Sequence, residues 1–184
     1  MSQAFSKLAH RAAELLTQQQ QLIVFAESCT AGLVSATLAR VPGISAYHCG
    51  SAVVYRVTTK HEWLGISETV LQDPGPVSEV VARAMVAGVL RETPEAHLAV
   101  SVTGHLGPQA PVEQDGLVYI AIGLREQESH VFEIRLPSLA ERTDDLTGES
   151  LTEREQRQLL TVACVFERII EFLEQLADQQ DVTQ

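Results

Sequence analysis

The strongest constraint on this chain is a five-residue apolar run, Leu22–Ala26, that stops at Glu27-Ser28-Cys29-Thr30. A short run with no polar alternation marks a strand buried on both faces, and such a strand needs helices on both sides of its sheet. The rest of the chain supplies them. Phe5, Leu8, Ala12, Leu15 and Leu16 fall at helical spacing within residues 3–20. Leu33, Val34, Thr37 and Leu38 share a helical face that ends at Val41-Pro42-Gly43. Thr58–Leu64 reads as a short helix closed by Gly65, and Ser78–Leu90 as a longer one after Pro74-Gly75-Pro76. Ser51–Tyr55 and Leu98–Val102 read as further strands. Residues 104–116 form a loop, and Leu117–Leu124 with Ser129–Leu136 form a hairpin pair. Residues 137–150 are polar and loose, and Leu151–Leu176 is a long helix. Alternation of strand and helix followed by two successive strands predicts an α/β fold: a three-layer α/β/α sandwich with a mixed, partly parallel sheet. One domain over residues 1–184 is expected, with about 177–184 as a frayed tail.

Charge excludes several functions. Lys and Arg total 13 against 24 Asp and Glu, a net −11. Such a surface suits neither nucleic acid nor an anionic membrane, and an anionic ligand must be held by a few local cations and N–H groups. The three cysteines, Cys29, Cys49 and Cys164, form no CxxC pair, and no HxH or HExxH spacing occurs, so neither a metal site nor a cofactor is expected. No stretch of 18 apolar residues is present, and the first residues read as an amphipathic helix, so a cytoplasmic protein is expected.

In open α/β sheets ligands bind beyond the carboxyl ends of strands. Three polar segments lie at such ends. The first, Glu27–Gly32, carries three hydroxyl or thiol groups at a strand–helix junction, where Ser or Thr is most often only an N-cap. The second, Tyr55–Lys60, holds one of only two lysines among eleven arginines. Unlike Arg, a lysine can lose its proton when buried, although a surface lysine in a short helix is the commoner case. The third, Thr103-Gly104-His105-Leu106-Gly107-Pro108, is a turn whose N–H groups can cradle an anion, and His105 can titrate near neutrality. Ser28, Lys60 and Tyr55 together suggest metal-free acyl transfer. The serine attacks, the desolvated lysine takes its proton, the tyrosine relays a proton, and the N–H groups after Ser28 stabilise an oxyanion.

AESCTAG (26–32), VPGISAYHCGSAVVY (41–55), Lys60 before LG (64–65), GPVSEVVARAM (75–85), LAVSVTGHLGP (98–108) and GLVYIAI (116–122) occur in one order. This series resembles the C-terminal domain of the competence/damage-inducible protein CinA, also found alone as nicotinamide-nucleotide amidase (PncC). The resemblance covers about residues 5–175 and implies an α/β/α sandwich. It implies hydrolysis of the carboxamide of nicotinamide mononucleotide to nicotinate mononucleotide and ammonia, in pyridine nucleotide salvage for NAD synthesis. Ser28 is then the nucleophile, Lys60 its activator and Tyr55 an assistant. Thr30, Gly32, Thr103, Gly104, His105 and Gly107 surround the substrate, and Arg56, His105 and Arg154 are candidate phosphate cations. The implied partners are a small nucleotide substrate and a second copy of the chain, as a homodimer or higher homo-oligomer.

The chain also departs from the family pattern. Ala31 stands where the family usually has Gly, and Val57 where it has Asn. The family loop resembles TGIAGPDGG…KPVGTV; here residues 103–116 lack the DGG turn and the lysine, gain Pro111 and are about two residues shorter, which removes a fan of N–H groups. A GDR-type motif is matched only by Leu151-Thr152-Glu153-Arg154 with a one-residue shift. Two alternatives to the amidase follow: an amidase acting on another small amide, or a non-catalytic relative serving as a nucleotide-sensing or interaction module.

Overall fold

Buried apolar runs and amphipathic helices sort into three layers in the computed structural model, which describes residues 3–139, 142–143 and 150–181. In chain order the elements are α1 (Gln3–Gln18), β1 (Ile23–Glu27), α2 (Leu33–Leu38), β2 (His48–Val53), α3 (Val57–Leu64), α4 (Glu68–Gln72), α5 (Glu79–Glu92), β3 (Leu98–Gly104), β4 (Leu117–Leu124), β5 (His130–Arg135), β6 (Arg142–Thr143), β7 (Ser150–Leu151) and α6 (Glu153–Asp181). Single 3-10 turns follow α2 and precede β4. The main sheet runs β2-β1-β3-β4-β5; β1 pairs in parallel with β2 and β3, and β3-β4-β5 are antiparallel.

One core layer packs Leu16, Leu38, Val165 and Phe166 from α1, α2 and α6 on Phe25, Val100 and Ile120 of the sheet. The opposite layer packs Leu64, Leu71, Met85 and Val89 from α3, α4 and α5 on Val24, Ala99 and Ala121. β1 and β3 contribute to both, so they are apolar on both faces, as their unalternating sequence predicts. Arg125 ties α5 to the sheet by donating to the carbonyls of Leu90, Thr93 and Ala96.

Parallel register brings three segment ends to one edge. Glu27 pairs with Val53 and with Val102, and the next step is made by Ser28 N–H to the Val102 carbonyl (3.0 Å) and Val54 N–H to the Glu27 carbonyl (2.8 Å). Helix α3 reaches the same edge because it lies hard against α5. A Cβ added at Gly88 would stand 2.5 Å from the Leu64 carbonyl oxygen, so only glycine permits the approach.

The sequence expectations shift in places. β2 starts at His48 and ends at Val53, which leaves Tyr55 beyond the strand. The short helix α4 carries too little pattern to have been read in advance. The polar stretch 137–150 contributes Arg142–Thr143, paired with Ser150–Leu151; residues 140–141 and 144–149 lie outside the described set. Helix α6 runs to Asp181 through most of the expected tail, and residues 182–184 lie outside the described set. Among the described residues no helix is long and apolar enough to cross a membrane, and no cluster of His, Cys, Asp or Glu could hold a metal ion.

Candidate active site

A cavity of about 440 Å³ opens beyond β1 and β3, between α3, the 104–110 segment and the start of α6. Ser28, Cys29, Tyr55, Lys60, His105 and Arg154 line it, and no described acidic residue does. In a chain of net charge −11 the cavity wall is therefore locally cationic.

Lys60 is 1% exposed and, among the described residues, pairs with no carboxylate. Its Nζ donates to the Pro76 carbonyl and to Thr103 Oγ1, both at 2.8 Å, and the Thr103 hydroxyl donates onward to the same Pro76 oxygen at 2.9 Å. A neutral amine has two N–H bonds and one lone pair. Two acceptors take the N–H bonds, so the lone pair is left for the cavity. Burial, with nothing acidic to offset it, pushes the amine down from 10.5 to about 8. A Cys29 thiolate would oppose this, but burial pushes that thiol up to about 12, so it stays protonated.

The Ser28 hydroxyl is bound to no other described group and borders the cavity. Beyond it the chain turns sharply: Ala31 has φ 53° and Gly32 φ 95°. The Glu27 carboxylate, wholly buried, fills the start of α2. Its Oε1 accepts from Ser35 N–H (2.9 Å) and the Ser51 hydroxyl (3.1 Å). Its Oε2 accepts from the Thr30 hydroxyl (2.8 Å) and the N–H groups of Gly32 and Val34 (both 3.0 Å). Ala31 and Leu33 N–H bond to backbone carbonyls, while the N–H groups of Cys29 and Thr30 bond no other described residue.

The opposite wall is held by two arginines one helical turn apart. Arg154 donates to the Gly107 carbonyl (2.6 Å) and the Tyr55 hydroxyl (2.7 Å). Arg157, 1% exposed, makes a two-pronged pair with Asp115 at 2.8 Å on each arm and also donates to the Pro137 carbonyl. The pair holds the Asp115 carboxyl below its usual range. A Cβ at Gly107, where φ is 74°, would stand 3.0 Å from Arg157, so the loop folds directly over that guanidinium. His105 is half-buried, and burial pushes its imidazole below the ordinary value.

Of the sequence-nominated residues, Ser28, Tyr55, Lys60, Gly104, His105, Gly107 and Arg154 meet around one cavity. Four do not line it. Thr30 and Gly32 bind the Glu27 carboxylate, so the expected fan of N–H groups at α2 is already occupied from within. Thr103 is fully buried and holds Lys60. Arg56 is exposed at the start of α3. Sequence reading missed Glu27, hidden as a strand-end charge, and Arg157, whose spacing from Glu153 looks like a solvent-facing helix pair.

The family model described as CinA C-terminal domain matches residues 5–147. A CinA-like protein of Acidobacterium capsulatum is 36% identical over 140 residues, 75% of this chain and 33% of that protein. A CinA-like protein of Prochlorococcus marinus (strain MIT 9301) is 45% identical over 109 residues, 58% of this chain and 26% of that protein. The chain thus spans about a third or less of the curated relatives it matches. Among solved structures, the competence/damage inducible protein CihA from Agrobacterium tumefaciens has a TM-score of 0.82 at 29% identity, covering 95% of this chain and 98% of that one. A CinA superfamily protein from Klebsiella pneumoniae has a TM-score of 0.80 at 22% identity, covering 93% and 98%, a likeness of fold.

Proposed function

The chain belongs to the CinA C-terminal domain family, and from that premise we propose that it hydrolyses the carboxamide of nicotinamide mononucleotide to nicotinate mononucleotide and ammonia. The observation that carries this reading is Lys60: buried, unpaired with any described acid, both N–H bonds of its neutral form engaged, and bordering the cavity that Ser28 borders. Neutral Lys60 takes the Ser28 proton as Oγ attacks the carboxamide carbon. The oxyanion is met by the N–H of Cys29, which borders the cavity beside Ser28. Lys60 returns its proton to the departing nitrogen, which leaves as ammonia. Water then attacks the acyl-serine ester, gives a proton to Lys60 and releases the acid, and that proton restores the Ser28 hydroxyl. Tyr55, held by Arg154, assists at the rim, and Arg154 serves the ligand's phosphate. The reaction sits in cytoplasmic pyridine nucleotide salvage, with a homodimer or higher homo-oligomer as the working assembly.

The decisive experiment is ammonia release from nicotinamide mononucleotide by the purified protein. Ser28→Ala should lose at least about two orders of magnitude in turnover, while Cys29→Ala keeps most of it. The reverse result moves the nucleophile to Cys29. Nucleotide binding without ammonia release favours a sensing role. Light scattering should return at least twice the 20.1 kDa of the chain; a mass of one chain rejects the homo-oligomer.

A further inference from the structure

We infer that Glu27 is a positioning residue: its carboxylate acts as a resident anion that holds the 28–32 turn so that Ser28 and Cys29 are presented to the cavity. The inference rests on the reading of Ser28 as the attacking group. Glu27 is completely buried, and among the described residues it pairs with no cation and is met by five hydrogen-bond donors. Those donors come from three places: the turn itself (Thr30, Gly32), the first residues of α2 (Val34, Ser35) and the edge strand β2 (Ser51). One carboxylate therefore ties the turn to both neighbouring elements. The turn needs that tie, because Ala31 stands in the left-handed region that a residue with a Cβ disfavours. Glu27 and Ser28 are consecutive, so a shift of one carries the other.

The donor set also explains why the residue is an acid. Oε1 receives two donors and Oε2 three. An amide in the same place would set its NH2 group against at least two donors, whichever way it turned. Glu27→Gln, nearly identical in size, should therefore cut kcat about a hundredfold with KM within about threefold, the size of effect seen when an oxyanion donor is lost. Thr30→Val is the gentler variant should Glu27→Gln fail to fold. It removes one donor and should lower kcat about tenfold, and Thr30→Ser should restore it. A folded Thr30→Val protein with wild-type kcat, or losses confined to KM, would overturn the inference.

Labelling of Ser28 by a fluorophosphonate probe separates this inference from the choice of substrate. If the wild type releases no ammonia from nicotinamide mononucleotide yet is labelled at Ser28, the substrate assignment fails. The role of Glu27 is then read in the labelling rate, which should drop in Thr30→Val and recover in Thr30→Ser. If the folded wild type neither turns over nor is labelled, the presentation of Ser28 by Glu27 is wrong as well.

Discussion

The two walls of the cavity are built by different means. On one side Ser28, Lys60 and Thr103 are fixed by strand register, by the close contact at Gly88 and by burial. On the other, the 104–116 loop is pinned by Arg154 and Arg157 reaching from the first turns of α6. The first wall cannot change without disturbing the core. The second can change its loop as long as the arginines find a carbonyl and a carboxylate. The loop expected from the sequence to depart from the family pattern is accordingly the one that hangs on side chains, while Ser28 stands at the end of β1 and Lys60 on α3, packed against the core. Precise placement belongs on rigid elements, and variation is tolerated on loops.

The test that breaks this contrast most sharply is Lys60→Arg. A guanidinium stays protonated, so turnover should fall at least about a hundredfold; an active variant would remove Lys60 as the base. In the wild type, activity should rise with pH through about 8, as the amine becomes neutral, and level off above. Because the folded value lies below the ordinary one, the unfolded chain binds the extra proton between pH 8 and 10.5, so folding stability rises with pH across that window. A flat pH–rate profile between 7 and 9 contradicts the burial argument.

Arg157→Ala tests the other wall. It leaves Asp115, 38% exposed, to be solvated, so the cost should be below that of a fully buried pair, about 2 kcal/mol by denaturant midpoint, and KM should rise more than kcat falls. A smaller effect follows at Arg154. Arg154→Ala should raise KM for nicotinamide mononucleotide about tenfold and leave nicotinamide riboside, which lacks the phosphate, nearly unchanged. Equal losses for both ligands would assign Arg154 to loop support alone. Arg56→Ala, which removes an exposed cation outside the cavity, should change either constant by less than about twofold; a larger change would show that the loop wall extends to the start of α3.

The same contrast governs how much could be read from the amino-acid sequence. β1 announces itself as an unbroken apolar run and β3 as one interrupted only by Ser101, and Ser28, Lys60 and Tyr55 follow because ligands collect at strand ends. Glu27 was not legible, because its five donors are spread from Thr30 to Ser51 and only the fold brings them together. Thr103 sits in a turn motif that suggests anion contact, yet register points its hydroxyl into the protein, toward Lys60. Arg157 has the spacing of a surface helix pair with Glu153, and nothing local reveals that a loop folds over it. Short-range patterns are visible in one dimension; side chains whose partners lie about forty residues away, as Asp115 does from Arg157, are not.

The anchoring of the 104–116 loop to the first turns of α6 has a consequence for how the molecule breathes. Backbone bonds at the start of a helix are the first to open, whereas those of β1 and β3 open only when the sheet does. Arg154 and Arg157 couple such an opening to the loop, so residues 104–116 and 153–157 should exchange their amide hydrogens as one unit despite their separation in the chain. A ligand that spans the cavity would slow that exchange on both segments together, and the exchange rate at α6 becomes a reporter of occupancy for a site whose reacting groups lie on the other wall.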